Sequence, residues 1–543
     1  AFNAFQGQII MQGQLLQPEL SLITKDTVVW GPESQANTYT TSYQMGPKIA
    51  KFQDGSSVIV WVSSGQDTSS TGIYMKMLDA MGRNKTNEIA VNTYITNNQR
   101  NPAVSGLQDG SFIVVWESEG QDGSGYSIYT RLFYPTGAAK TGEIQVNAYN
   151  TNNQLEPDVC TLINNTAVIV WDSWQDADRY GVYLRLIDAS TGAFLTNEIQ
   201  VNTYTTNDQV FPAVSAFPDG SFVVAWASMN QTYNDWYDVY MKLFDATGTN
   251  ITNEIRVNTH TTYNQYLPVV GTFSDGLFVV VWESELQDGE NMSVFMKLFD
   301  ATGLNKTNEI PVNTFVTGFQ WEPAVSVLPD RHFVVSWSSD LQDGDLKGVF
   351  MKVFDDNGIN LTGDTQVNTY YNSDQGFSDV SEFSSNSFII TWQSSGQDGD
   401  KTGIYFKNCT FDRVPTALGS VDKAVTVGTV VYINWTLYDD IEPGFFRVSA
   451  NLSGTFQPIS LWLTWTNNTP LILSVNTANV GLFVYRIEYN DSIGQMGIQN
   501  EILVRVSPSP PISGFGFLCV MLGLILIVTY AIRSKNQKFG NLA

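Results

Sequence analysis

The chain has 543 residues and carries 53 Asp and Glu against 28 Lys and Arg, a formal charge of −25. That balance excludes nucleic acid as a partner, because phosphate neutralisation needs clustered basic side chains. Two histidines and three cysteines leave little for imidazole acid–base chemistry or a Cys/His metal site, while 43% hydrophobic and 13% aromatic residues suffice for the cores of more than one domain.

Residues 1–35 read as a lead-in. They begin with neither Met nor an apolar leader, the pattern expected of a mature chain whose signal peptide has been removed. From residue 36 to 412 one pattern recurs. Trp61, Trp116, Trp171, Trp226, Trp282, Trp337 and Trp392 lie 55 or 56 residues apart, and each closes an apolar run such as SFVVAW. An apolar run without polar interruption predicts a strand buried on both faces. Within one unit, residues 202–245 and beyond predict four strands: PAVSAF after Pro212, SFVVAW after a Pro-Asp-Gly turn, DVYMKLFD after a polar loop, and NEIRVN after a Gly turn. Four strands per 55 residues is the content of one propeller blade, so seven units predict a seven-bladed β-propeller.

Two polar residues are kept in every unit. An Asn (Asn37, Asn92, Asn147, Asn202, Asn258, Asn313, Asn368) stands 24 residues before each Trp, and a Gln (Gln44, Gln99, Gln154, Gln209, Gln265, Gln320, Gln375) stands seven residues after that Asn. They are expected to satisfy backbone groups at the junctions between blades. The repeats begin with a VNT-type element at 36–41 and stop at 409 without another. The amino-terminal segment is therefore expected to supply the outer strand of the last blade and latch the ring.

The loops between second and third strands carry Asp67, Asp122, Asp176, Asp288, Asp343 and Asp398, mostly as Gln-Asp-Gly. Calcium is the metal these carboxylates would suit, but it takes six to eight oxygens and each loop offers one dependable carboxylate; Asp-Gly also forms turns without metal. Tyr233, Trp236 and Tyr237 in the fourth unit read as an interface or local packing, with sugar stacking as the alternative.

After residue 412 the period ends. Residues 413–506 alternate as TVVYINWTLY, SLWLTWTN, GLFVYRIEYN and NEILVRVS, which predicts a β-sandwich of immunoglobulin-like or cadherin-like type. A linker, 507–511, leads to ISGFGFLCVMLGLILIVTYAI at 512–532, uncharged and long enough to span a bilayer as one helix. Arg533, Lys535 and Lys538 follow it, so the tail, 533–543, is expected in the cytosol and everything upstream outside the cell or in a lumen. Twelve Asn-X-Ser/Thr triplets lie upstream of the span, at Asn84, Asn164, Asn230, Asn250, Asn291, Asn305, Asn360, Asn408, Asn434, Asn451, Asn467 and Asn490. Those at Asn84, Asn250, Asn305 and Asn360 share one loop position in four units, where N-linked glycans would leave the core undisturbed. Cys160, Cys409 and Cys519 imply no disulfide framework.

The order VGTVVYINW, LWLTW, GLFVYRIEYNDSIG, NEILVRVS resembles dystroglycan-type cadherin-like domains. The composite DGSFVVVWES, GQDG, GIYMKLFDATG, TNEIQVNTYTTNNQ, PAVS is similar to a repeat of large bacterial secreted and cell-surface proteins and of protist membrane proteins. The resemblances imply an all-β ectodomain on a membrane and little about activity. The resulting expectation is a type I single-pass membrane glycoprotein of the plasma membrane or another secretory-pathway membrane. It would have no enzymatic activity and no cofactor apart from calcium, would carry N-linked glycans, and would act through contacts with other surface proteins or copies of itself. A carbohydrate-binding or ligand-binding receptor is the alternative, and a propeller glycosidase a third reading that requires carboxylates from different blades.

Overall fold

The structure, a computed structural model, describes residues 26–508 apart from 177–178, 233–235, 385, 441–442, 452–454, 476 and 498. The expected membrane span at 512–532, the cytosolic tail, most of the lead-in and linker, and Tyr233 lie outside the described residues. The regular secondary structure of the described residues is strand, apart from one short 3-10 turn at Ile163–Asn165. They fall into two compact units: the described part of Leu22–Val414 with Asp439–Glu442, and that of Pro415–Tyr438 with Pro443–Ala543.

The first unit holds seven repeated antiparallel sheets. In each, a first strand of eight residues (Gln44–Lys51, Gln99–Gly106, Gln154–Thr161, Gln209–Ala216, Gln265–Thr272, Gln320–Val327, Gln375–Glu382) pairs with the Trp-bearing second strand. The second strand pairs with a third, and the third with a short outer strand, commonly of two residues such as Ile255–Arg256. The second strands extend beyond the Trp, as in Phe222–Met229, and the outer strands are shorter than the sequence suggested because only two residues pair with the third strand. First strands of successive sheets lie side by side, and that of the seventh lies against that of the first. There the Ile49 amide donates to Asp379 Oδ2 at 2.8 Å and the Gly46 amide to Gln393 Oε1 at 3.1 Å. We call these first strands the inner strands.

The amino-terminal latch is present, in a slightly different place. Thr27–Trp30 pairs antiparallel with Asp412–Cys409 and Ser34–Gln35 with Phe406–Tyr405, so the outer edge of the seventh sheet comes from residues read as lead-in. The VNT-type element beginning at residue 36 instead follows that edge, where Asn37 Oδ1 accepts the Ile404 amide at 2.7 Å.

Successive sheets share apolar clusters, each seating a fully buried Trp against residues of the neighbouring sheet; Trp116, for example, packs with Val58, Val60, Ile73 and Met75. Polar contacts fix the register between sheets. A cation on each third strand donates to a carbonyl of the preceding unit: Lys76 to Ala36, Arg131 to Val91, Arg185 to Val146, Lys242 to Val201, Lys297 to Val257, Lys352 to Val312 and Lys407 to Val367. An acid just before or within each outer strand (Glu88, Glu143, Glu198, Glu254, Glu309, Asp364, and Glu33 for the latched seventh sheet) accepts backbone amides two residues beyond that carbonyl. In six units a Gln in the loop between the second and third strands donates to the same acid.

The second unit contains a three-stranded sheet (Thr416–Gly419, Val431–Tyr438, Pro470–Val475) and a six-stranded sheet that includes Pro443–Asn451, Gly481–Asp491 and Asn500–Ser507. Both contribute to one core around Trp435, Ile433, Ile487, Tyr489 and Trp465. The Trp465 indole N–H donates to the Asn490 carbonyl at 2.7 Å, so a buried indole is satisfied.

Glu309 accepts from the Thr259 and His260 amides and from Gln287 Nε2 at 2.8 Å. Replacing Glu309 by Ala leaves these donors without their acceptor and is expected to lower unfolding free energy by about 2–4 kcal/mol, read as a lower urea midpoint at unchanged slope.

Candidate functional site

The inner strands are not regular. Each carries one extra residue relative to its partner strand, a β-bulge between the positions equivalent to Met45 and Lys48. The bulged residue is Gly46, Asn101, Glu156, Phe211, Leu267, Glu322 or Phe377, with φ between +48° and +55° in all seven units. Only one of the seven is glycine, the residue that adopts this conformation without strain. Backbone held this way in six non-glycine residues is a local strain that the surrounding sheets must hold in place. Pro follows in six units (Pro47, Pro102, Pro157, Pro212, Pro268, Pro323) and Ser378 in the seventh, since an extra residue outside the ladder needs no N–H.

These bulges are where the repeat is broken. The bulged position runs Gly, Asn, Glu, Phe, Leu, Glu, Phe around the units, and the position after each Trp runs Val62, Glu117, Asp172, Ala227, Glu283, Ser338, Gln393. The two positions communicate across the junctions. Glu117 Oε1 accepts the Glu156 amide at 2.8 Å, Asp172 Oδ2 the Phe211 amide at 3.4 Å, and Glu283 Oε1 the Glu322 amide at 2.6 Å. A carboxylate of one unit thus ties down the bulge of the next.

Two clusters result. In the second and third units Glu117 is fully buried; Arg100 Nε donates to its Oε2 at 2.7 Å and Asn101 Nδ2 to its Oε1 at 2.8 Å. The same Asn101 nitrogen donates to Glu156 Oε1 at 3.1 Å, so two carboxyl groups share one amide. Burial, then the adjacent Glu117 charge, raises the Glu156 carboxyl from 4.5 to about 7. Asp172, 2% exposed, is raised well above its ordinary value by burial and by Glu156 and Glu117, and its Oδ1 has no hydrogen-bond partner among the described residues. In the fifth and sixth units burial raises Glu283 to about 8. Glu322 Oε2 accepts Ser338 Oγ at 2.7 Å and the Phe377 amide at 3.0 Å. Glu156 and Glu322 therefore occupy the same repeat position, three units apart.

The sequence analysis did not single out any of these carboxylates. It aligned Gln, Pro and Trp, which recur, and looked for departures in loop length. The signal was the pair of non-recurring positions two residues after the Gln and one after the Trp, at which acids appear in some units and apolar residues in others.

The six loop aspartates lie elsewhere in the units and are engaged locally. Asp67 accepts the Ser69 amide at 3.0 Å, Asp122 that of Ser124 at 3.0 Å, Asp288 that of Glu290 at 3.2 Å, Asp343 that of Asp345 at 3.2 Å and Asp398 that of Asp400 at 3.3 Å; Asp176 accepts Asn202 Nδ2 at 2.9 Å. Five of them close turns two residues long. Among the described residues the carboxylate group whose oxygens lie within 4.8 Å of one another is a different one, Asp412, Asp439 and Asp440. The repeated Asn and Gln are structural: Asn92 Oδ1 accepts the Ile73 amide at 2.6 Å and its Nδ2 donates to Gln99 Oε1 at 3.3 Å, a pattern recurring around the units. Asn84, Asn250, Asn305 and Asn360 are exposed at equivalent turns, whereas Asn490 is buried with its Oδ1 accepting the Phe445 amide at 2.7 Å. Trp236 packs against Tyr263 at 5.4 Å between ring centres. Cys160 and Cys409 are buried and unbridged.

No family model matches the chain, and no curated protein matches it. Solved structures do resemble it. A protein of unknown function from Dyadobacter fermentans is 9% identical, with 71% of this chain and 99% of that one covered and a TM-score of 0.46. An α-L-arabinofuranosidase from Fusarium graminearum in complex with an iminosugar inhibitor is 11% identical over 56% of this chain and 91% of its own, TM-score 0.42. A Penicillium chrysogenum α-L-arabinanase complexed with arabinobiose is 12% identical over 56% and 92%, TM-score 0.41. At these identities the likeness is one of fold.

Two findings correct the expectation of a single-pass, adhesive, non-enzymatic glycoprotein of the plasma membrane. No helix among the described residues is long and apolar enough to cross a membrane. The solved structures of stated activity that resemble this fold include glycosidases, so the fold carries no expectation of an adhesive, non-enzymatic role.

Glu156 and Glu283 hold protons in the folded chain that the unfolded chain, with carboxyls near 4.5, has released. Their raised values therefore make stability fall as pH rises from 4.5 towards 7 and 8. The double replacement Glu156→Gln, Glu283→Gln is expected to remove on the order of 3 kcal/mol or more of this loss, seen as a flatter plot of urea stability against pH between 5 and 8.

Proposed function

We propose that the seven repeated sheets are the blades of a closed propeller, that the second unit is a cadherin-like spacer, and that the chain is a glycoside hydrolase acting where the inner strands bulge. The observation that carries this reading is the breaking of a tight repeat at one structural position by two glutamates, Glu156 and Glu322, each with its backbone tied to a buried glutamate of the preceding unit.

Glycoside cleavage needs a carboxylic acid that is protonated near neutrality and a second carboxylate that stays ionised. Glu156 is suited to the first task, since burial and the Glu117 charge keep its proton on up to about pH 7. It would deliver that proton to the bridging oxygen of the scissile bond as the bond to the sugar carbon breaks. Glu117, held by Arg100 and Asn101, positions Glu156 and maintains the neighbouring negative charge. Glu322, accepting hydrogen bonds from Ser338 and the Phe377 amide, is suited to the second task, facing the positive charge that develops on the sugar or the water that attacks it.

The test is release of reducing ends from a panel of polysaccharides and chromogenic glycosides. Turnover is expected with a basic limb near pH 7. Glu156→Gln should lower kcat by about 100-fold or more with little change in KM. Absence of turnover across the panel, or a Glu156→Gln enzyme of undiminished kcat, would reject the assignment.

A further inference from the structure

Beside Glu322 the repeat is broken a second time, by aromatic residues. The residue after the Gln is Trp321 here and Met45, Arg100, Leu155, Val210, Tyr266 or Gly376 in the other units; the residue before the Gln is Phe319, where five other units have Asn or Asp. Phe319 and Trp321 stack at 5.1 Å between ring centres with 26° between planes, and the Lys347 ammonium lies 3.9 Å from the Trp321 ring centre. Trp321 is thus a prop, and Phe319, 37% exposed, is the ring it presents. Across the next junction the bulged residue is Phe377, 47% exposed, its amide held by Glu322 Oε2 at 3.0 Å. Gly376 makes room for that carboxylate, because a Cβ there would stand 2.9 Å from Ser338 Oγ and 3.1 Å from Glu322 Oε2. The buried Trp321 Nε1–H has no acceptor among the described residues.

Exposed rings and a carboxylate acceptor within one junction match the two characters of a sugar ring, an apolar C–H face and hydroxyls at its edge. We propose that Phe319 and Phe377, with Trp321 and Glu322 between them, form a subsite that binds a sugar unit of a neutral polysaccharide. The charge argument selects the neutral class. A formal charge of −25 over the chain repels polyuronates. The inference rests on the proposed hydrolase reading for the direction in which the chain would run, but it is read out by binding alone.

Affinity electrophoresis of the full chain through gels containing arabinan, xylan, mannan or polygalacturonate provides the test. The Glu156→Gln variant keeps the polymers intact during the run. Retardation by at least one neutral polymer and none by polygalacturonate is expected. Phe319→Ala and Phe377→Ala should each weaken retardation about tenfold, while Leu304→Ala, at an exposed turn of the fifth unit, leaves it unchanged and thermal melts of all variants coincide. Stronger retardation by polygalacturonate, no retardation by any neutral polymer, or full retardation of both Phe variants would overturn the subsite. Retardation without turnover by the unmutated chain would instead leave the subsite standing and remove the hydrolase reading.

Discussion

Everything in the repeated unit depends on how one sheet holds the next. A cation, buried in five units, and a half-buried acid of each unit close on the same short stretch of the unit before, the cation on a carbonyl and the acid on amides two residues later. Lys242, Lys297 and Lys352 are at most 2% exposed, and a buried ammonium is tolerable only when its donors are answered. Burial lowers the Lys242 and Lys297 pKa values, and the nearby Glu254 and Glu309 pull them back up. The carbonyls answered in this way belong to strand ends that would otherwise lose water without compensation. The seventh sheet has no acid of its own at this place. Glu33 supplies it by accepting the Thr369 amide at 2.7 Å, so the latch reproduces the chemistry of every other junction.

Sheets held by a repeating lock can vary their inner strands without losing their arrangement. The bulge keeps its backbone conformation in all seven units whatever side chain it bears, from Gly46 to Phe377. That conformation must be imposed from outside, and the amide hydrogen bonds to Gln393, Glu117, Asp172, Glu283 and Glu322 are the means at five of the seven junctions. The cost of a left-handed backbone and of buried carboxyls is concentrated in one layer of the molecule. Such concentration of strain and shifted titration in one place marks functional sites more often than structural ones.

Much of the architecture was legible beforehand. The Trp spacing, the four-strand content of a unit and the recurrence of Asn and Gln are local or periodic signals, and side chains that recur in register do the same task in each sheet. The latch was anticipated from the phase of the repeat, but its position was not, because Thr27–Trp30 carries none of the repeat's marks and pairs only by being carried to the edge of Thr402–Asp412. The Asp of the Gln-Asp-Gly loops drew attention by recurring, and recurrence is what a turn former shows. Glu117, Glu156, Glu283 and Glu322 were passed over because acids at those positions do not recur from unit to unit.

By itself the sequence determined the all-β class and the number and length of the repeats, since each follows from residue periodicity. Only the tertiary structure decided that Glu156, 39 residues from Glu117, would have its amide on that carboxylate, and that Asn101 would bridge the two. Neighbouring units meet there by packing of sheets whose strands are distant in sequence, and the burial that raises a carboxyl pKa exists only once those sheets have packed around it.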